Sequence, residues 1–229
     1  MKLTVITPVG PGHERWQSPC RASVRAASKA PGPFTDLEHM IVLDEGPVGR
    51  SKLRNAMMRD ATDTDWFFFL DADDEMASDA LHRFGTIDHV KWDAVIGAAG
   101  GYTSKGITIG TFNNSYPVTS EDLCRLQTPL GLFALTGFFR AAPALDILFN
   151  EESDTCESFE FMCAFAAQYR WTKISDLMTW IHCERASAKG PRGYVGLDWI
   201  AEITPLFNFW KRRGFEPLPP FERQGEYWK

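Results

Sequence analysis

The chain has 229 residues, 44% of them hydrophobic and 13% aromatic, and a formal charge of −6 from 24 Lys and Arg against 30 Asp and Glu. That length and composition suit one large domain with a substantial core and exclude a disordered or low-complexity chain. The acidic balance argues against a general nucleic-acid binder and suits a protein that holds a cation.

The opening run Leu3–Thr7 is β-branched and reads as a strand that Pro8 stops. From about Arg15 to Ala30 the composition is helix-forming, and "PGP" closes the segment. "HMIVLD" reads as a second strand ending at Asp44, "EGPVG" as a turn, and "RSKLRNAMMRDA" as a helix by its apolar spacing. "WFFFL" (66–70) is apolar on both faces, the pattern of a central strand covered by helices on both sides. Ser78 or Asp79 is placed to cap a short helix, and "DAVIGAAGG" reads as a fourth strand. The first half is therefore β-α-β-α-β-α-β, an open, doubly wound, mostly parallel α/β sheet, in which ligands bind beyond the carboxyl ends of the strands. Three polar loops occupy that position: Pro8–Glu14, Asp44–Arg54 and Asp71–Glu75.

The second half is less regular. "GITIGTF" reads as an edge strand or hairpin arm, and Gly137 within "LFALTGFFRAA" as a bulge or close backbone approach. "CESFEFMCAFAAQ" reads as a buried helix, and "WTKISDLMTWIHC" as one or two short strands. The stretch 185–196 reads as a mobile loop rich in Gly and small residues. It is followed by a last helix with a kink or break at Pro205 and a basic and aromatic tail expected to pack on the domain. Trp171, Trp180, Trp199 and Trp210 carry no assigned role, because most aromatics are core. The five cysteines, Cys20, Cys124, Cys156, Cys163 and Cys183, include no CxxC pair and read as reduced thiols. With no apolar run of membrane-spanning length and an N-terminus too short for a signal segment, the expectation is a cytoplasmic protein without stable membrane insertion.

The chemistry concentrates in "DWFFFLDADDEM". In an extended segment Asp71 and Asp73 point to one side and Asp74 to the other. Converging carboxylates are costly unless a cation offsets them, and Mn²⁺ or Mg²⁺ shared with a diphosphate fits that need. Asp74 reads better as a cap of the following helix. An EF-hand fails because Met76 stands where the loop needs Gly. A haloacid-dehalogenase-like phosphatase using Asp71 as nucleophile remains open, although two βα units precede the motif and Glu75 stands where such enzymes carry Thr.

Taken in order, "VITPVG", "IVLDEGPVG", "KLRNAMM", "FFFLDADDEM", "LTGFFRAA", "CESFEFMCAFA" and "WIHCERASA" resemble the segments of an inverting family 2 glycosyltransferase with the GT-A fold. The resemblance implies one domain over 1–229, with a nucleotide-sugar-binding half at 1–100 and a small mixed acceptor-side region in 101–229. It implies transfer of a sugar from a nucleoside-diphosphate sugar, a UDP-sugar, to an acceptor hydroxyl on a glycan, a lipid-linked intermediate, a protein or a modified nucleic acid. Asp73 is then the first ligand of Mn²⁺ or Mg²⁺, Asp71 a helper across Ala72, and His182 a third ligand. Thr7, Pro8 and Val9 line the base pocket through backbone groups, and Glu14, at the end of the same loop, and Ala72 belong to the nucleotide-binding set. Asp44 or Glu45 faces the nucleoside, and Arg54 reaches the base or phosphates or else pairs with an acid such as Asp60. Arg185, Lys189 and Arg192 sit on a lid that orders on donor binding. The family's catalytic base is an Asp after a Glu, and here that position is Ser158. Glu157, Asp154 or Glu160 could take its place; Glu157, the nearest, is the expected base, with a capping box from Asp154 to Glu157 as its competing structural role. The missing Asp also keeps open a non-catalytic nucleotide-sugar-binding protein.

Overall fold

A computed structural model describes residues 1–46, 48–103, 106–109, 120–125, 135–153, 156–182 and 197–216. The elements are β1 (Lys2–Val9), α1 (Gln17–Ala27), β2 (Asp36–Leu43), α2 (Arg50–Asp60), β3 (Trp66–Phe69), β4 (Glu75–Met76), α3 (Ala80–Gly85) and β5 (Ala94–Thr103). They continue with β6 (Gly106–Ile109), α4 (Ser120–Arg125), β7 (Gly137–Arg140), α5 (Ala141–Ile147), α6 (Glu157–Gln168), β8 (Trp171–His182) and α7 (Leu197–Arg212). The expected lid 185–196 and its Arg185, Lys189 and Arg192, together with Asp154, Cys183 and the tail beyond 216, lie outside the described residues.

The strands form one sheet in the order β2-β1-β3-β7-β5-β8-β4, with β6 paired to β5. Strands β2, β1, β3, β5 and β8 share one direction, as expected of a mostly parallel sheet. The pairing itself is mixed: β7 runs antiparallel between β3 and β5, and β4 and β6 are antiparallel to their partners. The fourth predicted strand therefore lies two positions from β3, because β7 arrives from the second half of the chain.

Side-chain alternation on β3 divides the core. Phe67 and Phe69 point to one face, covered by α2, α5, α6 and α7. Trp66, Phe68 and Leu70 point to the other, covered by α1 and α3. The strand is buried along its whole length, as its composition predicts. The predicted buried helix is α6, whose Phe159, Phe161, Met162, Cys163 and Phe165 enter the first core.

Several local expectations give way to tertiary structure. β1 continues through Pro8 to Val9. Ile6 O accepts from Leu70 N on the β3 side, so Pro8 faces that side too. β3 has already ended there, and the missing N–H breaks no ladder bond. α7 runs on through Pro205 without the expected break, because Ile203, Leu206, Phe207 and Trp210 bury its apolar face around that position. "WTKISDLMTWIH" is one twelve-residue strand, and register shifts in its ladder with β5 spoil the alternation that the sequence pattern relies on. Asp79 sits at the N-cap of α3 but makes no side-chain cap, and its carboxylate pairs with Arg83. No described helix is long and apolar enough to cross a membrane.

Gly137 meets the expected close approach: a Cβ there would lie 2.3 Å from Val95 O and 2.8 Å from Ile96 Cα. Both obstacles are backbone in the sheet centre, so neither can step aside. Gly137→Ala should cost at least the roughly 1–3 kcal/mol of an overpacked core. In thermal or urea unfolding, a wild-type midpoint for this variant would contradict the packing described.

Candidate functional site

The site is built at the carboxyl end of β3, where Asp71–Asp74 forms a turn closed by Asp74 N–H donating to Asp71 O at 3.0 Å. This is not the extended geometry expected of Asp71 and Asp73. The turn, rather than strand alternation, gathers the carboxylates: one oxygen each from Asp71, Asp73 and Asp74 lie within 4.8 Å of one another. Asp74 does not cap a helix. Its carboxylate accepts the backbone N–H of His182 at 3.1 Å and so ties the turn to β8. His182 Nε2 lies 2.9 Å from Glu75 Oε1, one residue further along, and His13 Nδ1 is 3.8 Å from Asp73 Oδ1.

The three acids are not electrically equivalent. Burial would push the Asp71 carboxyl up, but Arg54 and then Arg50 outweigh it and hold the group below its ordinary value. Asp73, which is buried, moves the other way: desolvation and then the Asp71 charge raise its carboxyl. A carboxylate pushed up by a neighbouring carboxylate is a group that a cation would stabilise. The oxygen donors of Asp71, Asp73 and Asp74 could hold a hard divalent ion.

Across from the turn stands the first residue of α6. The helix begins at Glu157 itself, after Cys156 in a left-handed conformation, so Glu157 is not the third residue of a capping box. Glu157 is buried, and its Oε1 accepts from Arg54 Nη1 (3.0 Å), Arg50 Nε (2.9 Å) and Ser158 Oγ (3.2 Å). Arg54, 2% exposed, also donates through Nη2 to Asp71 Oδ1 at 2.5 Å, and its guanidinium lies over the Phe149 ring. Arg54 therefore joins two acids from opposite halves of the chain rather than pairing with Asp60. The next residue, Asn55, donates to Phe149 O and Glu151 Oε1 (both 2.9 Å) and accepts Phe149 N–H (2.8 Å), holding the segment that leads toward α6.

The expected nucleoside side is a framework of strand ends. Thr7 is buried, with Oγ1 3.0 Å from His39 Nε2. Pro8 and Val9 are buried in the β1–β2 ladder, where Val9 O accepts Asp44 N–H. The Asp44 carboxylate turns back on its own loop and accepts from the N–H groups of Gly46, Val48 and Gly49. It shapes the entry to α2, while Glu45 is exposed. Glu14 accepts the Gly12 N–H, and Ala72 is buried inside the acidic turn. The sequence reading missed Asn55, the place of Asp74 in the cluster, and Arg50. The signal for Arg50 was present: a cation on the first residue of a helix opposes the helix dipole, so it needs another reason to be there.

Two consequences can be measured. Arg54→Met leaves Glu157 and Asp71 without their buried partner and should cost on the order of 3 kcal/mol in urea unfolding. Adding Glu157→Gln should recover part of that loss, and strictly additive losses would refute the coupling. His39 is held neutral, its imidazole lowered from 6.5 to about 4, by burial first and then by the Arg21 charge. The unfolded chain therefore binds the extra proton first, and this part of the stability, complete above 6.5, is lost as pH falls toward 4. His39→Gln should flatten the stability profile in that window, and an unchanged acid limb would show that His39 does not set it.

No family model matches the chain, and no curated protein matches it. Among solved structures it is similar to S. aureus TarS. Against the TarS 1–349 complex with UDP-GlcNAc the TM-score is 0.66 at 20% identity, covering 97% of this chain and 69% of that one. Against the complex with UDP the TM-score is 0.65, again at 20% identity, covering 97% and 68%. The chain spans 61% of another TarS 1–349 structure and 41% of the longer TarS chain. At this identity the likeness is one of fold: this chain and TarS share the α/β architecture described above.

Proposed function

We propose that this protein is a metal-dependent glycosyltransferase of the GT-A type, similar to family 2, that moves a sugar from a UDP-sugar to an acceptor hydroxyl with inversion. The observation that carries the proposal is the acidic turn at the carboxyl end of the central strand, where Asp73 is pushed up by burial and by Asp71. The shared fold with TarS, solved with UDP and with UDP-GlcNAc, supports the choice of donor.

Asp71, Asp73 and Asp74 would hold Mn²⁺ or Mg²⁺, with His182 as a further candidate next to Glu75. When bound, the ion offsets the charge that develops on the leaving diphosphate. The chain does the rest. Arg54 keeps Asp71 ionised and oriented while remaining out of solvent itself. The ends of β1 and β2, with the Asp44-braced loop, receive the nucleoside. Glu157 is the base: its Oε1 is engaged by Arg50, Arg54 and Ser158, so the acceptor proton would go to Oε2 as the hydroxyl attacks the anomeric carbon.

The test is a thermal-shift comparison of UDP, GDP and inorganic phosphate, each with and without Mn²⁺. UDP should raise the melting temperature strongly with Mn²⁺ and weakly without it, and Asp73→Asn should abolish the difference. Equal shifts with and without the ion would reject metal dependence. Glu157→Gln should keep the UDP shift and lose transfer from UDP-GlcNAc, whereas full transfer by that variant would assign the base elsewhere.

A further inference from the structure

Two carboxylates, Glu157 and Asp71, face two guanidiniums, those of Arg54 and Arg50. Arg54 already bonds both Glu157 Oε1 and Asp71 Oδ1 from a fully enclosed position. Arg50 adds a second guanidinium to the same pair, with Nε 2.9 Å from Glu157 Oε1 and Nη1 3.8 Å from Asp71 Oδ2, and its side chain stays 49% exposed. The position is unfavourable for a cation, because Arg50 is the first residue of α2, whose first turn has no acid. The Asp44-braced loop that ends at Gly49 delivers it there.

We infer that Arg50 binds the diphosphate: its half-exposed guanidinium meets an oxyanion of the nucleoside diphosphate held beside Asp71–Asp74. This rests on the donor reading above. The bond through Nε to Glu157 fixes the plane of the fork, and the half-exposed side chain carries its Nη edge beside the acidic turn, with Nη1 3.8 Å from Asp71 Oδ2; an arginine fork binds phosphate oxygens in pairs. Asp71, 3.8 Å from that edge, is itself partly exposed, so a group bound at the acidic turn comes within reach of Arg50. The same contact links the donor to α6, since the guanidinium that meets the phosphate also holds Glu157.

Calorimetric titration of uridine, UMP and UDP in the presence of Mn²⁺ tests this, using wild type, Arg50→Gln and Arg50→Lys. Gln keeps a hydrogen-bond donor for Glu157 and removes the charge. The expected result is a loss that grows along the series: unchanged for uridine and at least about tenfold for UDP, the size of one charge-assisted hydrogen bond, with Lys partly restoring it. Equal weakening of all three ligands, or none, overturns the assignment and leaves Arg50 as a support for Glu157. A wild-type protein that binds no UDP overturns the donor reading itself, and Arg50's role with it.

Discussion

The site depends on one buried cation. Arg54 reaches Asp71, 17 residues away, and Glu157, 103 residues away, and water does not reach it. A guanidinium taken out of water is tolerable only with its partners in place, and the same holds for the buried Glu157. The three groups therefore have to be brought together or left apart as a unit. That requirement docks α2 against both the end of β3 and the start of α6. Asn55 repeats the tie one residue on by bonding the backbone of Phe149. A single turn of α2 thus holds the two halves of the chain in register at the point where the acids meet.

Around that tie the acidic turn stays electrostatically unbalanced. Asp71 is compensated by the arginines and Asp74 by a backbone N–H from β8, while Asp73 is pushed up by burial and by its neighbour. A fold selected only for stability would not keep Asp73 there. Local destabilisation that the surroundings hold in place is typical of functional sites. The rigid surroundings are evident: Ala72 is buried between the acids, β3 is buried on both faces, and Asp74 is anchored to the neighbouring strand.

The central strands and the helices on either side were legible because their signals are local and strong. "WFFFL" alternates into two cores, α6 is nearly all apolar, and Gly137 marks a place where two backbones touch. The strand through Pro8, the unbroken α7 and the single long β8 were not legible. In each case the outcome is set by a distant partner: an absent neighbour on the β3 side, a packed face around Pro205, and a shifted register with β5.

The sequence by itself determined that acids would gather at the end of a central strand, after two βα units, and that Glu157 would stand at the head of a buried helix. Those facts follow from composition and order along the chain. Tertiary structure alone decided what each charge does. It turned Asp74 from a helix cap into part of the cluster, Asp44 onto its own loop, and Arg54, expected at the base or phosphates or on an acid such as Asp60, into the bridge between Asp71 and Glu157. The reason is physical. A charge's role depends on its burial and on the charges within a few ångströms of it, and neither quantity is a property of spacing along the chain.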